Sequence, residues 1–244
     1  MRAVATLAAA TALLLGAGRA PAYELLRTSN DPCRRDTQNL FWADASARVN
    51  PSRLPEPQRT LAEEARARWN DHLGKFSFST AGSADCARDG VTSMELDDTP
   101  CGLDRFGDAL AITRSVWNGN GELIDADIAF NADSYIVFDD DAFRHVAMHE
   151  LGHVLGLAHS DACGGDGAGT LMKAVLGTRT LSEPQVDDVN GAQAIYPSGG
   201  GGGGGQVPEG ANSCAIAPPR GLADALPLWL GALSLWLLRR RRRD

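Results

Sequence analysis

The chain has 244 residues, with 23 Lys and Arg against 31 Asp and Glu, a formal net charge of -8 at pH 7. A chain of this length can bury a sizeable core, and its acidic balance excludes a phosphate-binding surface, so no nucleic-acid partner is expected. Much of the positive charge sits in a terminal block, Arg239 to Arg243, so the remainder is more acidic still. At the start, Arg2 precedes an apolar stretch from Ala3 to Gly16, and Ala20-Pro21-Ala22 offers a small-x-small cleavage site. This pattern predicts a secretory signal peptide over residues 1–22, cut before Tyr23. An uncleaved anchor is the alternative, although the apolar run is short for a membrane span.

Residues 23–55 have little periodicity, and Phe41-Trp42 and Val49 are expected to contribute a first strand. Glu56 to His72 reads as a helix with Leu61, Ala65 and Trp69 on one face. Phe76 to Ser79 alternates as a half-buried strand does, and residues 80–107 are expected to be loop. Ala109 to Trp117 is a β-rich run. Asn118-Gly119-Asn120-Gly121 supplies hairpin turn residues, and Glu122 to Phe130 returns as an antiparallel partner. A helix is placed at Asp141 to Leu155, with Asp139-Asp140-Asp141 at its positive end. A last helix is placed at Leu181 to Tyr196, with Ser182 as its N-cap.

The run from His149 to His159 carries the chemistry. His149 and His153 are four apart, so on a helix they lie on one face and can grip one metal ion. Glu150 follows the first ligand, within reach of a water at that ion. Gly156 allows a left-handed helix stop, after which the chain turns back and His159 becomes the third ligand. Three protein ligands with a fourth position open are the pattern of a catalytic zinc site. The other two histidines, His72 and His145, are read as surface or packing residues, although His145 lies one turn before His149.

This eleven-residue motif resembles that of the metzincin metallopeptidases. Ser160-Asp161 resembles the matrixin branch, as do Ala126 to Asn131 (the last sheet strand) and the segments Leu181-Ser182-Glu183 and Asp187 to Tyr196 (the C-terminal helix). The resemblance spans about residues 40–197. It implies an α/β fold of the α+β kind. A twisted, mostly parallel sheet of about five strands would carry an antiparallel edge strand above the active-site cleft, where an extended polypeptide could add. It also implies a zinc endopeptidase in which Glu150 takes a proton from the attacking water and returns it to the leaving amine. Met172, in Leu171-Met172, would form a hydrophobic floor under the site, and the residues from Met172 to Leu181 would wall the pocket for the side chain after the scissile bond. There Lys173 and Arg179 suggest cations near the rim of a partly apolar pocket.

The chain departs from the matrixin pattern in three ways. No histidine lies between His72 and His145 for the usual second, structural zinc. The spacing from His159 to Met172 is long, and Cys33 does not sit in the cysteine-switch sequence of a matrixin propeptide. A surface-displayed binding or adhesive module that keeps the fold without turnover is the alternative, against which the retention of Glu150 speaks.

Cys33, Cys86, Cys101 and Cys163 predict two disulfides. Cys86 with Cys101 and Cys33 with Cys163 is the favoured pairing of three, and an inhibitory Cys33 ligand is the alternative. Carboxylates at Asp97, Asp98, Asp104, Asp125, Asp133, Asp139, Asp140 and Asp141 are candidates for calcium, against the plainer reading of a solvated acidic surface. The catalytic domain is placed at residues 23–198 and is expected to be monomeric. Gly199 to Gly205 open a Gly-rich linker over 199–213, expected to act as a flexible tether. Cys214, the apolar run Ala225 to Leu238 and the arginine block form a tail over 214–244 that resembles the C-terminal sorting tails of myxobacterial surface proteins. A single-pass anchor is the alternative. Either would engage the membrane or sorting machinery and leave the catalytic domain outside the cytoplasm.

Overall fold

The computed structural model describes residues 23–197, except 83, 103 and 104, together with the strand at 210–216. The signal-peptide expectation for residues 1–22, the glycine run, and the apolar and arginine segments of the tail lie outside the described residues. Among the described residues, no helix is long and apolar enough to cross a membrane.

In chain order the elements are β1 (Glu24–Leu25), β2 (Ser46–Arg53), α1 (Gln58–His72), β3 (Ser77–Thr80), β4 (Thr92–Asp97), β5 (Ala111–Trp117), β6 (Leu123–Asn131), α2 (Asp140–Leu155), β7 (Leu157–Ala158), α3 (Val186–Ile195) and β8 (Gly210–Ile216). The main sheet runs β3-β2-β4-β6-β5-β8. β3, β2, β4 and β6 are mutually parallel, and β5 runs antiparallel to β6. The mixed α/β fold with an antiparallel strand beside a parallel set is the expected one. Two of its details differ from expectation. β4 was read as loop, and β5 does not end the sheet, because β8 pairs antiparallel along its outer side.

β4 escaped notice because Met94 and Leu96 are its only large apolar residues, too few to set a period. Its burial comes instead from parallel partners on both sides. The last helix begins at Val186 rather than Leu181, and its N-cap is Gln185 rather than Ser182. Pro184 disfavours helical geometry at the residue before it, so the segment 181–184 stays outside the helix.

α1 and α2 pack against one face of the sheet. α1 buries Leu61, Ala62, Ala65 and Trp69, at the spacing that keeps them on one face. The Trp69 indole donates to the Met148 carbonyl at 2.8 Å, inside the core. α2 is almost wholly buried, with Asp139 as its N-cap accepting from the N–H groups of Asp141 and Ala142. Its last carbonyls, which have no helical partner, are satisfied from elsewhere. Trp42 Nε1 donates to Val154 O at 2.8 Å and Tyr196 Oη to Leu155 O at 3.0 Å.

The opposite face of the sheet carries a buried acidic pair, Asp125 and Asp127, on alternate positions of β6. Asp125 Oδ1 accepts from Gly90 N, and Asp127 Oδ1 accepts from the amide and hydroxyl of Ser93. Burial and the neighbouring Asp127 push the Asp125 carboxyl up to about 8. A carboxyl raised in the folded state leaves stability intact below its unfolded pKa of 3.8, and that stability is lost as pH rises toward 8. Asn at 125 keeps the acceptor for Gly90 and has the shape of the protonated acid. Asp125→Asn should therefore unfold like the parent near pH 4 and be at least about 1 kcal/mol more stable at pH 8. Urea unfolding at the two pH values reads this, and an equal difference at both would refute the buried-pair account.

Three of the calcium candidates have other roles. Asp139 caps α2, Asp141 pairs with Arg144, and Asp125 points to the Asp127 side of the sheet. Asp104 lies outside the described residues. Among the described residues, no cluster of three carboxylates forms a cation site.

Candidate metal centre

Three elements bring the histidines together. His149 and His153 project from α2, one turn apart. Gly156 stops that helix at φ 104°, and a Cβ there would lie 2.8 Å from Leu40 O, so the turn requires glycine. The chain leaves it as β7, and His159 follows directly. The turn is braced by the N-terminal segment. β1 pairs antiparallel with β7, Leu26 N donates to Gly156 O at 2.8 Å, and a disulfide joins Cys33 to Cys163. Segment 23–40 is thus a support of the site, and Cys33 is engaged in a disulfide rather than at the metal. The second disulfide joins Cys86 to Cys101, as the spacing suggested.

The ligand nitrogens of His149, His153 and His159 lie within 4.8 Å of one another. His149 Nδ1 donates to Leu171 O and His153 Nδ1 to Leu157 O, each at 2.8 Å. Those bonds fix the tautomer and leave both Nε2 lone pairs for the centre. His149 Nε2 is buried with no hydrogen-bond partner in the protein. Burial drives all three imidazoles toward the neutral, ligating form, His153 down to about 3 and His149 well below its ordinary value. Neutral imidazoles with converging lone pairs, one of them orphaned, fit a zinc ion.

Glu150, the residue after His149 on α2, is fully buried. Its Oε2 accepts a 2.5 Å hydrogen bond from Thr113 Oγ1, on β5, while Oε1 has no partner. With no cation beside it, burial pushes its carboxyl up to about 8, against the opposing pull of the Thr113 hydroxyl; a zinc ion at the histidines would favour the carboxylate that a general base requires.

The Met172 sulfur packs against Gly152, between His149 and His153 on α2, where an added Cβ would run into it. Two unforeseen residues hold this arrangement. Thr113 fixes one oxygen of Glu150, and Asp188, buried at the start of α3, accepts from the amides of Leu171 and Met172. A hydroxyl at the middle of a β-run and the second acid of Asp187-Asp188 were the only sequence signals for them.

His145 is buried, not superficial, and its Nδ1 accepts from Leu181 N at 2.8 Å. It lines a cavity of about 250 Å³ with Thr170, Lys173, Val175, Arg179 and Leu181. His72 lies apart, on the surface against Glu183.

Three histidines that could hold a metal ion, two of them on a helix packed under a mostly parallel sheet and followed there by a buried glutamate, fit the architecture of a metzincin-type zinc metallopeptidase. The chain belongs to the matrixin family, whose model matches residues 49–197. No curated protein matches it significantly.

Proposed function

We propose that this chain is a zinc endopeptidase that hydrolyses extended polypeptides, with His149, His153 and His159 as the metal ligands and Glu150 as the general base. The observation that carries this reading is the unpartnered Oε1 of the buried Glu150, the residue after His149 on the helix that brings His149 and His153 to the converging triad. A metal held only for structure has no use for a buried carboxylate at that place, which speaks against a binding or adhesive module.

Bound at the triad, zinc would supply Lewis acidity, making water a nucleophile near neutral pH and polarising the scissile carbonyl. Glu150 Oε1 accepts the proton released from the attacking water, while Thr113 holds Oε2 and fixes the direction of transfer. Glu150 then passes that proton to the leaving amine nitrogen. Met172 does no proton chemistry and keeps water away from the underside of the histidines.

Export through residues 1–22 and surface attachment through the tail belong to the same proposal. They would put this activity outside the cytoplasm, where the two disulfides are stable. The test of the whole reading is cleavage of casein by the protein with zinc, with chelator, and after zinc is restored. Failure to cleave with one zinc bound would leave the non-enzymatic module as the better account.

The cavity beside Leu171-Met172 suggests a preference. Lys173 and Arg179 line it without an acid, in an otherwise acidic protein. Peptides with Glu after the scissile bond should be cleaved about three- to tenfold more efficiently than those with Gln, the range expected of a partly solvated charge pair. Lys173→Ala with Arg179→Ala should erase the difference. Equal kcat/KM for Glu and Gln peptides in the parent would show that neither cation meets the substrate.

A further inference from the structure

We propose that residues 210–216 act as a built-in competitor for substrate, occupying as β8 the sheet edge along which a polypeptide would add. This rests on the endopeptidase reading above.

β5 has two edges, and β6 takes one of them. The other is covered along its whole length, from Ala111 opposite Ile216 to Trp117 opposite Gly210. An extended peptide binds an open edge through its main chain, and one edge accepts one strand at a time. β5 is also the strand that touches the site, because Thr113 holds Glu150. Cys214 stands opposite Thr113 in the register, so the middle of β8 lies level with that contact. The occupied stretch is the one that a substrate crossing the site would need.

The composition of the segment suits a displaceable occupant. Gly-Ala-Asn-Ser-Cys-Ala-Ile carries no charge and only one β-branched residue, so its intrinsic strand preference is weak. Its hold on β5 then depends on attachment to the same chain, which gives a tethered strand an effective concentration in the millimolar range. The segment also lies beyond the matrixin match, which ends at residue 197, so it is an addition to the peptidase domain.

The test uses the full chain carrying Asn212→Pro and Ala215→Pro. Successive amides of a strand point to opposite sides, so positions three apart guarantee that one proline removes a donor facing β5. Two readouts are taken, hydrogen exchange of residues 111–117 and kcat/KM on an unstructured peptide. The expected result is faster exchange in β5 and about a tenfold rise in kcat/KM, through KM, as a weak tethered competitor is lost. Unchanged exchange would overturn the occupied edge, and faster exchange with unchanged kcat/KM would overturn the competition. Faster exchange with no cleavage by either protein would count against the endopeptidase reading while upholding the occupied edge.

Discussion

Glu150→Gln should leave the fold and the bound zinc intact and lower kcat by about 10²–10⁴-fold, the usual contribution of a general base. Gln has the same shape, and its carbonyl oxygen can still accept the 2.5 Å hydrogen bond from Thr113. It lacks only the second oxygen that takes a proton. The side chain is fully buried, so the exchange exposes nothing and alters no surface contact. Neither His149 nor His153 uses Glu150 as its Nδ1 partner, since both donate to backbone carbonyls. Metal content and circular dichroism should therefore match the parent, and kcat on a quenched peptide carries the result. A loss of less than about threefold would show that another group accepts the proton.

The residues of this site were legible to different degrees, for physical reasons. The histidine triad was readable because the motif fixes its spacing: two imidazoles on one helical face, then a glycine that must adopt positive φ. Gly156 does so at 104°, against the Leu40 carbonyl, where a side chain would not fit. The hairpin of β5 and β6 was readable from alternation and its Asn-Gly turn. β4 was not, because a central strand gains its burial from neighbours rather than from its own pattern. Thr113 and Asp188 were invisible for a related reason. Each acts across a long sequence separation, on Glu150 and on Leu171-Met172, and nothing local marks a threonine in a strand or an aspartate in a helix as a support. The pairing of residues 210–216 with β5 likewise joins segments far apart in sequence, and a short run of small residues gives no strand signal.

Asp188→Ala should be the most damaging single change away from the ligands, destabilising the protein by about 3–6 kcal/mol. The carboxylate is 2 % exposed and accepts three amides, from Leu171 at 2.9 Å, Met172 at 3.2 Å and Gln185 at 2.8 Å. Truncation leaves those donors buried without partners, each at a cost of about 1–3 kcal/mol. The loss should reach the metal centre, because the Leu171 residue that Asp188 holds by its amide also holds His149 by its carbonyl. Zinc affinity should then fall about 10–100-fold, the scale on which supports behind metal ligands act. Urea unfolding in chelator measures the structural part alone, and competition with a fluorescent zinc chelator measures the second. A variant that unfolds early in chelator yet binds zinc as tightly as the parent would mean that Asp188 anchors α3 without orienting His149. A variant with both losses would establish one continuous support, running from the start of α3 through the Leu171 backbone to the ring of His149.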